Sequence, residues 1–167
     1  METFLQQLVN GLLLGSIYAL VALGYTMVYG ILGIINFSHG AVVMIGAMVA
    51  MSVIMALGGS ASPVILLLLA AVASLVVCTV LGLVIERTTY RPLRYAPKLA
   101  PLITGIGISL VIQYAAALIW GRQYMSLPDL IKPEKIVFGG AQITSTQGFI
   151  FVLDCAIMAA LLWFVKT

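Results

Sequence analysis

The first 86 residues of this chain contain no lysine or arginine; the first is Arg87. A soluble fold carries charge over its whole surface, at about 25% of residues. Here charged residues make up 8% of 167, hydrophobic residues 63%, and mean hydropathy is +1.20. So few charges cannot cover a water-exposed surface, so lipid must cover most of the protein. The net charge of +3 is small, and no basic run marks a nucleic-acid surface. Met1–Glu2–Thr3 is not the basic n-region of a secretory signal, and the apolar segment behind it is too long for one. It is therefore expected to be a retained helix. Cys78 and Cys155 each sit inside an apolar segment, and two separate cysteines with one histidine cannot build a zinc site.

About 20 helical residues cross the roughly 30 Å of bilayer hydrocarbon. Five stretches reach or approach that length: 5–29, 40–57, 63–85, 99–120 and 148–165. The expected fold is all-α, a single transmembrane helix bundle of five spans over residues 1–167, with a broken or re-entrant element near Asn36–Gly40. The third span is the clearest, with fifteen Leu, Ile and Val residues and no charge. Pro63 suits its first turn, where the missing N–H costs nothing. The connection 86–98 carries Arg87, Arg91, Arg94 and Lys98, whereas 121–147 spreads Arg122, Lys132 and Lys135 among Asp129 and Glu134. The positive-inside rule puts loop 86–98 in the cytoplasm, loop 121–147 in the periplasm and the N-terminus outside.

Small residues recur at helical spacing. Gly11 and Gly15 form a GxxxG, and Ala70, Ser74, Cys78 and Gly82 form a second stripe. Such stripes let helix backbones approach closely in lipid, so plain helix packing is their expected role. Within loop 121–147, Pro128 and Pro133 punctuate the chain, and residues 136–144 read as a short hairpin around Gly139–Gly140. That hairpin is either a cap over the bundle or a docking surface for a binding protein.

No phosphate-binding loop is present, because the sequence holds no Gly-Lys pair. Neither a cofactor nor a catalytic set is expected on this chain. The polar stretch Gly33-Ile-Ile-Asn36-Phe37-Ser38-His39-Gly40 breaks two apolar segments. Asn36 or Ser38 can accept an orphan N–H of the next helix. Composition and periodicity alone favour an ordinary interfacial turn here. The other reading is a broken helix of the kind that binds polar substrate groups in transporters.

Several motifs in order carry a resemblance. Asn10-Gly11, Gly15-Ser16, Tyr18-Ala19-Leu20, Gly24, Tyr29-Gly30 and the 33–40 stretch are followed by Glu86-Arg87 and Tyr90-Arg91-Pro92-Leu93-Arg94. Then comes Leu102-Ile-Thr104-Gly105-Ile-Gly107-Ile-Ser109-Leu110 with Gln113. Together these resemble the LivH-type permeases of branched-chain amino acid ABC importers. The resemblance implies a second homologous permease, two cytoplasmic ATPase subunits and a periplasmic substrate-binding protein as partners, in a bacterial inner membrane. It places Asn36, Phe37, Ser38, His39, Gly40, Thr104, Gly105, Gly107, Ser109 and Gln113 near the substrate pathway. Family permeases are much longer, and their ATPase-docking loop begins just past the position of Thr167. A truncated permease is therefore expected.

Asp154 lies about two turns into the fifth span. An Asp at a helix centre costs about 2.5–3.5 kcal/mol on insertion, which its apolar neighbours can offset. An acid at that depth is a candidate for function by default, or it pairs with another segment. Two further classes stay open beside the importer. One is half of an ion-coupled secondary transporter, for which Asp154 is the only intramembrane acid. The other is a non-transporting structural subunit. A membrane enzyme fails for want of a clustered nucleophile, base or metal set.

Overall fold

An apolar segment in hydrocarbon must satisfy its backbone internally, and a helix does so within one segment. The chain adopts this solution throughout its apolar stretches. The computed structural model describes residues 2–33, 35–58, 62–97, 99–123, 135–138 and 141–166. Five helices form: α1 (Glu2–Leu32), α2 (His39–Leu57), α3 (Pro63–Ile85), α4 (Leu99–Trp120) and α5 (Ser145–Lys166). All five are long and apolar enough to cross a membrane. The chain is a multi-pass helical membrane protein. α1 runs longer than the sequence suggests at both ends, and α5 starts three residues earlier. Large apolar side chains such as Leu68, Leu75, Ile103 and Leu118 point outward, as lipid contacts require.

The chain divides into two compact units. One comprises Met1–Met27 with Asp129–Thr167. It holds most of α1, all of α5 and an antiparallel hairpin of β1 (Lys135–Phe138) and β2 (Ala141–Thr144), in which Phe138 pairs with Ala141. Gln147 at the start of α5 accepts the Thr144 N–H and ties the hairpin to the helix. Pro128 and Pro133 lie outside the described residues.

The second unit is Val28–Pro128. Pro63 occupies the first turn of α3, as its missing N–H dictates. α2 and α3 pack antiparallel through small residues. Ser74 donates to the Gly46 carbonyl at 2.8 Å, and the Cys78 thiol to the Val42 carbonyl at 3.5 Å. A Cβ at Gly46 would stand 3.0 Å from Cys78 Sγ. Ala70, on the same stripe, is buried. Gly82, the stripe's last member, has nothing within 4 Å of where its Cβ would be, and Gly11 and Gly15 are equally open. α4 runs parallel to α2, and Trp120 Nε1 donates to Ser52 Oγ at 2.7 Å.

Gly46→Leu must force α2 and α3 apart, at about 1–3 kcal/mol. Gly82→Leu meets open space and should shift stability by no more than about 0.5 kcal/mol. Thermal unfolding of the two variants in mild detergent checks the contrast, and equal melting temperatures would contradict this packing.

Candidate functional site

The site begins where α1 ends. Gly33 stops the helix with φ +64, a left-handed conformation natural to glycine, and its N–H donates to the Tyr29 carbonyl at 2.8 Å. The next helix starts at His39, so the polar break occupies 33–38. Asn36 organises it. The Asn36 side-chain oxygen accepts the Ser38 backbone N–H at 3.0 Å and also the Ser38 hydroxyl. The Asn36 backbone carbonyl accepts the His39 N–H at 3.2 Å. Ser38 makes no side-chain cap of its own. Of the two capping candidates, Asn36 does the accepting. Ser38 is completely buried.

A third donor reaches Asn36 from another helix. The Tyr90 hydroxyl donates to the same side-chain oxygen at 2.7 Å. Tyr90 is itself buried and closes a π-helical turn, Glu86–Tyr90, that continues α3. The turn is sealed by the Arg91 N–H donating to the Glu86 carbonyl at 2.8 Å. Single π turns are wider than α turns and recur at functional sites. This one carries a phenol inward, while Arg87, Arg91 and Arg94 remain exposed.

α4 supplies the floor. Gly105 is buried, and a Cβ there would lie 2.9 Å from the Tyr90 hydroxyl and 3.6 Å from the Phe37 nitrogen. Only a residue without a side chain lets Tyr90 reach Asn36 past α4. At the residue before Gly105, the Thr104 hydroxyl bonds back to the Ala100 carbonyl at 2.8 Å. His39 and Gly40 begin α2 beside the cluster, with His39 half-buried.

The structure thus brings Asn36, Phe37, Ser38 and Gly105 together, and it adds Tyr90, which sequence reasoning passed over as part of a basic loop. Gly107, Ser109 and Gln113 stand apart. Gly107 is open, and Gln113 Nε2 donates to Ser109 Oγ at 3.0 Å on α4. A polar pair exposed on an otherwise apolar helix is costly against lipid. Among the described residues, no three His, Cys, Asp or Glu side chains gather as a metal site.

Residues 7–167 match the family model described as branched-chain amino acid transport system / permease component. The chain is 45% identical over 170 residues to the high-affinity branched-chain amino acid transport permease BraD of Pseudomonas aeruginosa. It is 42% identical over 169 residues to LivH of Escherichia coli and 41% to LivH of Salmonella typhimurium, permeases of the same description. These alignments cover 98% of the chain and 55% of each relative, so the chain spans about half their length. No solved structure matches it.

Gly105→Ala should make the Tyr90 phenol back away and give up its bond to Asn36, at about 0.5–1.5 kcal/mol. In a Tyr90→Phe background that bond is already gone and the new methyl has room. The double-mutant cycle should therefore show the Gly105→Ala penalty shrinking by more than half. Thermal unfolding of the three variants measures it, and strictly additive losses would rule out the contact.

Proposed function

Because this chain belongs to the family of permease components of branched-chain amino acid transport systems, we propose that it is a permease subunit of an ATP-driven importer for branched-chain or related small amino acids. The observation that carries the reading is the match over residues 7–167, on a chain whose five helices can each cross a bilayer. The chain forms part of the translocation path. ATP is hydrolysed on two cytoplasmic partner subunits, a second homologous permease completes the path, and a periplasmic binding protein delivers the amino acid. The membrane is the bacterial inner membrane.

Within this reading, the Asn36–Gly40 break and the Thr104–Gln113 part of α4 lie along the path. The Ser109–Gln113 pair supports this. Its carboxamide is exposed on α4, and in lipid such groups turn toward a partner or an aqueous passage. Hydroxyl and carboxamide groups among apolar walls suit a neutral zwitterion with an aliphatic side chain. The arginines of loop 86–98 orient that end of the bundle toward the cytoplasm. The 135–144 hairpin then lies on the periplasmic side.

Two measurements test the proposal. The complex purified from native membranes should contain two ATPase subunits and a second permease by mass spectrometry. In proteoliposomes it should take up L-leucine with ATP and binding protein, and an uncoupler should leave uptake intact. A homo-oligomer without an ATPase, or uptake that collapses with the uncoupler at constant ATP, would overturn the reading. Tyr95 is 96% exposed next to Arg94. A Tyr95→Cys variant should react with an impermeant maleimide in inside-out vesicles and stay unlabelled in intact cells with a permeabilised outer membrane.

A further inference from the structure

Asp154 plays no part in the path described above, yet it stands where an unpaired acid is least tolerated. It lies within α5 and is only 7% exposed. Ser16, halfway along α1, is 8% exposed, and its hydroxyl donates to Asp154 Oδ2 at 2.8 Å. The same hydroxyl lies 2.8 Å from the Leu13 carbonyl of its own helix. The two helices face each other beyond this bond. Leu14 and Ile17 of α1 line one cleft of about 370 Å³ with Gln147 and Ile150 of α5. Ile150 is one helical turn from Asp154, on the same face.

We infer that Asp154 is a positioning residue: its carboxylate fastens α5 to α1 through Ser16 and carries neither substrate nor ion. Apolar attraction does not draw two helices together in lipid, because the tails are as apolar as the side chains; a hydrogen bond between helices does. What the contact asks of residue 154 is a polar atom at the right distance, and a charge is not needed. Asparagine meets that demand in two ways. Its Oδ1 can accept the Ser16 proton, or its Nδ2 can donate to Ser16 Oγ while that hydroxyl turns to Leu13. Leucine, close in size, does neither. The inference needs only that α1 and α5 lie in lipid, and it stands apart from the importer reading.

The test places Ile17→Cys and Ile150→Cys in a Cys155→Ala background of the intact complex in native membranes. A short bifunctional thiol reagent then reports whether α1 and α5 meet, with the single-cysteine proteins as blanks. Asp154→Asn should keep both cross-linking and L-leucine uptake within about twofold of the parent. Asp154→Leu and Ser16→Ala should each lower cross-linking by about fivefold or more, since each removes the hydrogen bond that joins the two helices. The double variant Ser16→Ala/Asp154→Leu should fall no further than the lower single variant, because the bond between the helices is already absent in each. If Asp154→Leu fails to insert, Ser16→Ala and Asp154→Asn still decide. Loss of uptake in Asp154→Asn, with normal protein amount and normal cross-linking, would overturn the inference, as would unchanged cross-linking in Ser16→Ala. A parent complex that takes up no amino acid would count against the importer reading alone, since cross-linking is read without transport.

Discussion

Backbone that leaves the helix in or near hydrocarbon must bring its own hydrogen-bond partners, because no water is there to supply them. The interruption between α1 and α2 meets this demand with one side chain. Asn36 turns its amide oxygen to the Ser38 N–H, the Ser38 hydroxyl and the Tyr90 phenol together. An amide oxygen has two lone pairs, so three donors saturate it. The consequence reaches well past the loop. Tyr90 arrives from the wider turn that ends α3, past a residue of α4 that has no Cβ to block it. The bond between Tyr90 and Asn36 therefore constrains the identity of residue 105.

The same bonds set the alignment of the helices. Gly105 of α4 sits against Phe37, and fifteen residues further along each helix Trp120 reaches Ser52. Equal steps along both chains mean that α2 and α4 run parallel and in register over about 22 Å. Between α2 and α3 the direction reverses, with Gly46 beside Ser74 and Val42 beside Cys78. Ser52, Ser74 and Cys78 each hydrogen-bond to a neighbouring helix, which is how helices associate in a solvent as apolar as they are.

These contacts also explain what the sequence reveals and what it hides. Helix number and the bounds of α3 and α4 are legible, because insertion depends on summed apolarity and on breakers such as Pro63, Gly33 and Gly121. Asn36, Ser38 and Gly105 are legible as a polar break and a glycine in a resembling motif. Rotation is not legible. A helix apolar all round has no preferred face, so its pattern cannot say which glycines meet a neighbour. Gly46 meets Cys78, whereas the more conspicuous Gly11–Gly15 pair meets nothing among the described residues. Tyr90 is hidden for a related reason. In α-helical phase it belongs with the arginines that follow, and the added residue of the π turn is what swings it inward.

Direction along the membrane connects the two ends of the chain. Asn10 and Gln147 line one cleft, and Ser16 and Asp154 are bonded, so α1 and α5 advance side by side in the same sense. Two helices that cross a bilayer in the same direction need an odd number of crossings between them. α2, α3 and α4 supply three. The parallel course of α1 and α5, fixed by the bond between Ser16 and Asp154, agrees with five spans that alternate in direction.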